Sequence, residues 1–489
     1  MAANYHVDTL AERTDSRSLP GSGVLSAAGT AIVTTLLFPL ATSASWLRKL
    51  FLAIIILDIP LHMGIHLFWS DELGDSGALA GLEISLTTVV LAALYFLWFL
   101  GYVCRRELEP TISLRPALPL ALYLMFEVVS LLAARNPVIG VYEALLTAQM
   151  LLLFIYLINW VRTRADVAFV LRMLLVGFIL EAGIIVALKT SGHDIEVPGL
   201  PGHTLMVDTP EGEEGFSRPG GTFSSPNVAG SYLSVMLTVV VSLLLLARVR
   251  AWYKAVALIS VGIGLIALLS TYSRGGWLAF LTAITLLCCA GWRLLWPRGV
   301  LIIAVALAAL FVSLFLDTPL SRRLFESDEG SAYSRLVLNK LAIRMIKDHP
   351  IIGVGANNFS FNVKEYATQE DMGEWLYTVH NKYLLVWAEA GLGGLLAYCW
   401  FLIASLRQGW RCWKDNDPLY SPLSLALLCG ISALIICDLF EPDRGRPLMQ
   451  LLIVLATLIG TIPSWTAPAF NGRPALPIRV KTIRRQQVV

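Results

Sequence analysis

Three groups of polar residues stand where apolar segments begin. Arg218-Pro-Gly-Gly-Thr-Phe-Ser-Ser-Pro-Asn227-Val-Ala-Gly opens one segment, and Thr271-Tyr-Ser273-Arg274-Gly-Gly-Trp lies between two others. Val379-His380-Asn381-Lys382-Tyr383 opens a third, with Glu389-Ala-Gly391 following inside it. Guanidinium groups bind phosphate oxygens bidentately, and a helix N-terminus adds amide donors and a positive dipole. Arg218 is thus a candidate anion ligand, and Arg218 and Arg274 converging on one cavity would suit a diphosphate. Histidine trades protons near neutral pH, which makes His380 a candidate base. Plainer readings stand beside these: Ser225 or Asn227 as a helix cap, Arg274 snorkelling to lipid headgroups, and His380 as a structural interfacial histidine.

The elements that must position these residues are membrane helices. The chain has 489 residues, of which 56% are hydrophobic and 15% charged, and its mean hydropathy is +0.68. An ordinary soluble protein is roughly 45–50% apolar and about 25% charged, and one chain of this size cannot hide the surplus in a core. A spanning helix takes about 20 residues, so twelve would use about half of the sequence. This excludes a soluble enzyme, a secreted disulfide scaffold and a disordered chain. The expected fold class is all-α, a polytopic membrane bundle of about twelve transmembrane helices.

Hydropathy places those spans at about 47–69, 77–103, 116–134, 138–160, 166–188, 227–247, 252–270, 275–296, 299–316, 381–406, 419–438 and 446–463. A further apolar stretch, about 24–44, reads as an extra or re-entrant helix. Lys and Arg collect in cytoplasmic loops. Arg105, Arg106 and Arg115, then Arg162 and Arg164, then Arg248, Arg250 and Lys254, then Arg293 and Arg298, then Arg407, Arg411 and Lys414 fall at every second connection, as does the tail with Arg479, Lys481, Arg484 and Arg485. Both termini are then inside, and the large loops 189–226 and 317–380 are outside. The expected organisation is a polar cytoplasmic segment 1–23, which lacks the pattern of a signal peptide, a membrane domain 24–464 and a basic cytoplasmic tail 465–489. Between Tyr333 and Lys347, apolar residues recur at helical spacing, predicting an amphipathic helix on the membrane surface or capping the bundle.

Several chemistries find no support. The seven cysteines lie in or beside apolar segments without metal-ligand spacing, which reads as packing rather than disulfides or zinc. No G-x-S-x-G or Walker-type loop occurs, and Gly353-Val-Gly355-Ala-Asn-Asn reads as a turn rather than a dinucleotide fingerprint. Glu326, Asp328 and Glu329, like Asp71, Glu72 and Asp75, read as solvated loops before they read as a cation site. No basic-aromatic surface suggests nucleic acid, and no metal or cofactor is expected.

The ordered blocks R-P-G-G-T-F-S-S-P-N-x-A-G, Y-S-R-G-G-W, H-P-I-I-G-V-G-A-N-N-F and H-N-K-Y-L with A-E-A-G-L-G-G resemble the bacterial O-antigen ligase and polymerase superfamily. The resemblance implies a metal-independent, inverting glycosyltransferase in the inner membrane with its active site facing the periplasm. It would take a glycan from an undecaprenyl-diphosphate carrier and join it to an acceptor hydroxyl. Carried over by motif, Arg218 and Arg274 would bind the donor diphosphate and His380 would act as base or orient the acceptor. Asn227, Ser273, Asn381 and Glu389 would support them. The acceptor stays open between lipid A–core, a second lipid-linked glycan and a protein hydroxyl, and other polysaccharide-assembly proteins are candidate partners. Two rivals from other classes are a lipid-linked glycan flippase, disfavoured because charges cluster at span ends and no repeat is visible, and a metal-dependent oligosaccharyltransferase using Asp71 and Asp75.

Overall fold

The computed structural model describes residues 46–104, 112–196, 204–208, 217–223, 225–247, 250–292, 331–369, 371, 377–415, 417, 420–442 and 444–466. The segments 1–23 and 24–44, the expected span 299–316, the tail from 467, Arg105, Arg106, Arg248, Arg293 and Arg298, and the Glu326–Glu329 acids lie outside them. The chain divides into two compact units, 1–50 with 93–110 and 51–92 with 111–489. In the described part of the first, Arg48 Nη2 donates to the Leu97 carbonyl at 3.2 Å. Apart from residues 46–50 and 93–104, the elements below belong to the second.

The described elements are helix α1 (46–61), strand β1 (Gly64–Leu67), α2 (Asp71–Asp75), β2 (Leu82–Ser85), α3 (Leu86–Cys104), α4 (Leu118–Ser130), α5 (Pro137–Trp160) and α6 (Arg164–Ser191). Next come β3 (Ile195–Glu196), β4 (Thr204–Asp208), β5 (Arg218–Gly221), α7 (Pro226–Leu246), α8 (Ala251–Ser270) and α9 (Arg274–Ala290). The last are α10 (Ser331–Asp348), α11 (Phe359–Tyr366), α12 (Lys382–Lys414), α13 (Tyr420–Cys437) and α14 (Arg446–Thr466). Among the described residues, seven helices are long and apolar enough to cross a membrane, and apolar stretches in α3, α9 and α14 are shorter. The protein is a mostly helical, multi-pass membrane protein. α7 and α13 form its centre, with 78% of each apolar window buried, whereas α8 has 22% buried and exposes Leu258, Ile259 and Ile266. That apolar outer surface is where the surplus hydrophobicity of the composition goes.

The all-α expectation needs correcting in two places. The expected spans 47–69 and 77–103 each lose an end to an antiparallel hairpin, in which Gly64 pairs with Ser85 and Leu67 with Leu82. α1 stops where His62 adopts φ 47° and Asp58 Oδ1 accepts from the Met63 amide at 3.0 Å, turning the chain. The connection after α6 builds a second small sheet, ordered β3-β4-β5. α6 itself is closed at both ends by sequence. Thr163 and Asp166 form a reciprocal capping box, and Gly192 ends the helix at φ 69°.

The span expected at 381–406 is α12, which breaks at Gly391 (φ 70°, ψ −175°). Ala388 and Glu389 would ordinarily accept from amides one turn on. Their carbonyls accept instead from Val354 (2.8 Å) and Gly355 (3.0 Å), and the Leu392 amide donates to the Pro350 carbonyl at 2.9 Å. The Gly353–Gly355 turn thus inserts into the helix ladder. Only glycine adopts the Gly391 conformation readily, and a Cβ there would run into the Ile351 carbonyl. Gly391→Ala is expected to destabilise the protein by at least about 1–3 kcal/mol from backbone strain, read as a lower thermal midpoint in detergent.

α10 is the expected amphipathic helix. Val337, Leu338, Leu341, Ala342, Met345 and Ile346 pack in one core cluster with Phe359, Val379, Leu385 and Ala388, so the helix caps the bundle over the start of α12. Arg344 holds it to the following segment, donating to Asp371 Oδ2 at 2.8 Å. That carboxylate, which also accepts from the Thr368 amide and hydroxyl, is held down at about 2.

Candidate functional site

β5 carries Arg218 into the protein, paired through Asp208↔Arg218 with β4. The side chain is 8% exposed. Its Nε donates to the Thr271 carbonyl at 3.2 Å and its Nη2 to Asn227 Oδ1 at 2.9 Å. Ser225, not Asn227, is the cap of α7, accepting from the Val228 amide at 3.5 Å, so Asn227 is left to orient the guanidinium. Ser273 caps α9, accepting from the Gly276 amide at 3.3 Å. The two arginine blocks are pressed together by glycines. A Cβ on Gly230 would sit 2.5 Å from Ser273 Cβ, and one on Gly276 would sit 2.8 Å from the Gly230 carbonyl. Arg218 and the α9 N-terminus with Arg274 are therefore neighbours, beside the first turn of α7.

Two further residues brace this pair, and neither was selected from sequence. Glu181, fully buried on α6, accepts from the Thr222 amide at 3.1 Å and the Thr222 hydroxyl at 2.6 Å. It holds the turn that follows Arg218, where Gly221 adopts φ 63°. Lys189 donates to the Ser217 carbonyl at 2.8 Å and lies 4.9 Å above the Tyr272 ring, joining the residue before Arg218 to the one before Ser273. Both looked like ordinary members of an apolar span and its basic end.

His380 sits in the connection entering α12. Thr378 anchors that connection by donating to the Gly77 carbonyl at 2.9 Å, and the Tyr377 and His380 rings lie 5.7 Å apart. Burial, reinforced by the positive charge of Arg335 on α10, pushes the imidazole down to about 4, so it is neutral at ordinary pH. Asn381 is the cap of α12, accepting from the Leu384 amide at 3.0 Å. Glu389 accepts from the Phe359 amide at 2.8 Å and from Arg444, which makes it a packing and charge partner. The Lys382 amide donates to the Asp438 carbonyl at 2.8 Å, and two residues further on Phe440 lies against Gly275, 3.2 Å from where its Cβ would be. The turn at 438–440 thus lies between the histidine block and the arginine block.

The largest omission from the sequence reading is Arg444-Gly445-Arg446, just beyond this turn. Arg444 donates to Glu389 at 2.6 and 2.9 Å and to Glu143 at 3.0 Å. Burial works against its charge, but the two carboxylates outweigh that and raise its proton affinity above the usual arginine level. Arg446, wholly buried, donates to Asp58 at 2.7 Å and Glu83 at 2.8 Å, and holds the Glu83 carboxyl below its ordinary range despite burial. The signal was an arginine pair at the start of an apolar helix, which the sidedness argument passed over. Arg444→Met should cost about 3–5 kcal/mol, because it strands buried carboxylates without their counter-charge; a thermal midpoint unchanged from wild type would refute that.

Residues 259–399 match the family model described as O-antigen ligase. The matched stretch contains Arg274, His380 and Glu389 and begins after Arg218. No curated protein matches the chain. A glycan-transferring membrane enzyme is what this match suggests in general terms. With the Tyr-Ser-Arg-Gly-Gly-Trp, His-Pro-Ile-Ile-Gly and His-Asn-Lys-Tyr blocks all inside it, the match over 259–399 supports the resemblance to the O-antigen ligase/polymerase superfamily across that part of the chain.

Proposed function

We propose that the protein transfers a glycan from an undecaprenyl-diphosphate carrier to an acceptor hydroxyl, at the periplasmic face of the inner membrane, in surface polysaccharide assembly. The observation that carries this reading is the placement of Arg218 against the Thr271 carbonyl, three residues before Arg274 at the α9 N-terminus, and against Asn227 at the start of α7. As the acceptor oxygen attacks the anomeric carbon, the bond from that carbon to the diphosphate oxygen breaks and charge accumulates on the leaving group. Two guanidinium groups and the N-termini of α7 and α9 would stabilise it in place. The neutral imidazole of His380 would take the acceptor proton. A single displacement inverts the anomeric centre.

The test is purified protein in detergent with a lipid-linked oligosaccharide and candidate acceptors. A new glycosidic bond of inverted configuration is expected, and transport without bond formation would overturn the reading. Because guanidinium groups carry the leaving-group role, turnover should be unchanged by EDTA; its loss, restored by a divalent ion, would favour the metal-dependent alternative. Glycan profiles of a deletion strain separate the acceptors. Lost chain-length ladders with single repeats retained mean polymerisation, and full-length glycan stranded on its carrier means ligation.

A further inference from the structure

α10 packs with one face and presents another. Its buried residues, Val337, Leu338, Leu341, Ala342, Met345 and Ile346, belong to the core cluster over the start of α12. Away from that cluster, at intervals of three and four, come Tyr333, Leu336, Lys340, Ile343 and Lys347, all exposed. Residues so spaced form one stripe along a helix. The turn that follows extends the stripe with Ile351, 75% exposed, and Ile352. The stripe is apolar apart from its two lysines and contains no acid. Asp348, the acid next to it in sequence, is engaged by the Tyr366 hydroxyl.

That turn is tied to a definite level of α12. The Pro350 carbonyl accepts from the Leu392 amide at 2.9 Å and from the Trp387 indole at 3.2 Å. Leu392 begins a row of exposed apolar residues on α12 that continues with Leu396, Trp400 and Ile403. On a helix long and apolar enough to cross a membrane, such a row faces lipid. Ile351 and Ile352 therefore stand at the end of a lipid-facing row, beside a tryptophan, the side chain favoured at the headgroup boundary. Lys347 is one turn of chain before Ile351. In water the stripe would be an apolar patch of the kind that marks an interaction surface. At a bilayer surface its apolar residues enter the acyl boundary, and the lysine stems reach back to the headgroups.

We propose that the exposed stripe of α10, with Ile351 and Ile352, lies in the membrane interface and binds anionic phospholipid, Lys340 and Lys347 meeting the headgroup phosphates. Two positive charges without an acid among them complement a negative lipid surface rather than a second copy of the same stripe. The buried face of α10 shares its cluster with Val379, the residue before His380. Lipid contact would thus set the height of this cap over the His380 connection. The surface is independent of the proposed transfer reaction and is tested without it.

The experiment is photo-cross-linking of the full-length protein in vesicles of phosphatidylcholine and phosphatidylglycerol, with one lipid radiolabelled at a time. A benzophenone amino acid replaces Ile343, Leu396 or Glu365 in turn. Leu396 belongs to the lipid-facing row, and Glu365 on α11 has a side chain 56% exposed. Ile343 should capture both lipids as Leu396 does, and Glu365 neither. At Ile343 the phosphatidylglycerol adduct should exceed that lipid's share of the vesicle several-fold. Lys340→Gln combined with Lys347→Gln should bring it down to that share and leave the Leu396 adducts unchanged; both are exposed changes, which rarely disturb folding. A cross-linked dimer through Ile343, or lipid adducts at Leu396 with none at Ile343, would overturn the surface. Equal phosphatidylglycerol capture with and without the two lysines would overturn the anionic preference.

Discussion

His380→Ala should reduce glycan transfer by about 10²–10⁴-fold, the usual contribution of a positioned general base, while expression and thermal midpoint stay near wild type. The reason lies in its surroundings. Burial and the Arg335 charge keep the imidazole near 4, so it carries a lone pair rather than a proton over the whole neutral range. In the free enzyme kcat/KM should therefore stay level as pH falls past 6.5, the ordinary histidine value, and drop only on approaching about 4. The stability linkage has the same sign. Below 6.5 the unfolded chain gains a proton that the folded chain refuses, so His380 lowers stability progressively down to about 4 and no further. Partial rescue of His380→Ala by added imidazole would identify proton transfer rather than packing. Near-normal turnover in the variant would remove both the base and the orienting role.

Arg218→Lys and Arg274→Lys should each lower kcat by about 10²–10³-fold, the scale of losing one preorganised charge donor at a developing anion. An ammonium is a point charge and cannot form the planar fork. At Arg218 it also loses the fixed spacing of the two donors, Nε to the Thr271 carbonyl at 3.2 Å and Nη2 to Asn227 Oδ1 at 2.9 Å. Asn227→Ala should have the same direction and a smaller effect, since it loosens the guanidinium without removing it. If Arg274→Lys transfers glycan at the wild-type rate and Arg274→Ala leaves donor affinity unchanged, Arg274 is snorkelling to headgroups and the leaving-group role falls to Arg218 alone.

Much of the fold was legible because lipid imposes a simple code. Long apolar runs must be helices to satisfy their backbone groups, and α5, α6, α7 and α8 lie close to where hydropathy placed them. One cap was legible for the same local reason, Ser225, which accepts from an amide in the first turn of α7; Ser273 and Asn381, expected only to support the site, also prove to be caps. Hydropathy failed where an apolar segment was not a helix throughout. Residues 64–67 and 82–85 are apolar enough to read as span, but they pair as strands, because the turn at His62 takes the chain out of α1. The break at Gly391 was equally hidden, since its cause is a pair of amides from a turn more than thirty residues away.

For the site, residue type and spacing by themselves determined the chemistry on offer: two guanidinium groups at helix starts, one imidazole, and glycines where backbones come close. Those properties are local, so a linear reading reaches them. Only the tertiary structure decided which of them meet. Gly230 and Gly276 bring the arginine blocks together, the turn at 438–440 lies between them and His380, and Asn381 and Glu389 prove occupied as a cap and as a partner of Arg444. The buried ion pairs of Arg444 and Arg446 came wholly from the fold, since their acids lie up to 388 positions away in the chain. Charge compensation inside a bundle depends on distance through space, which sequence separation does not encode.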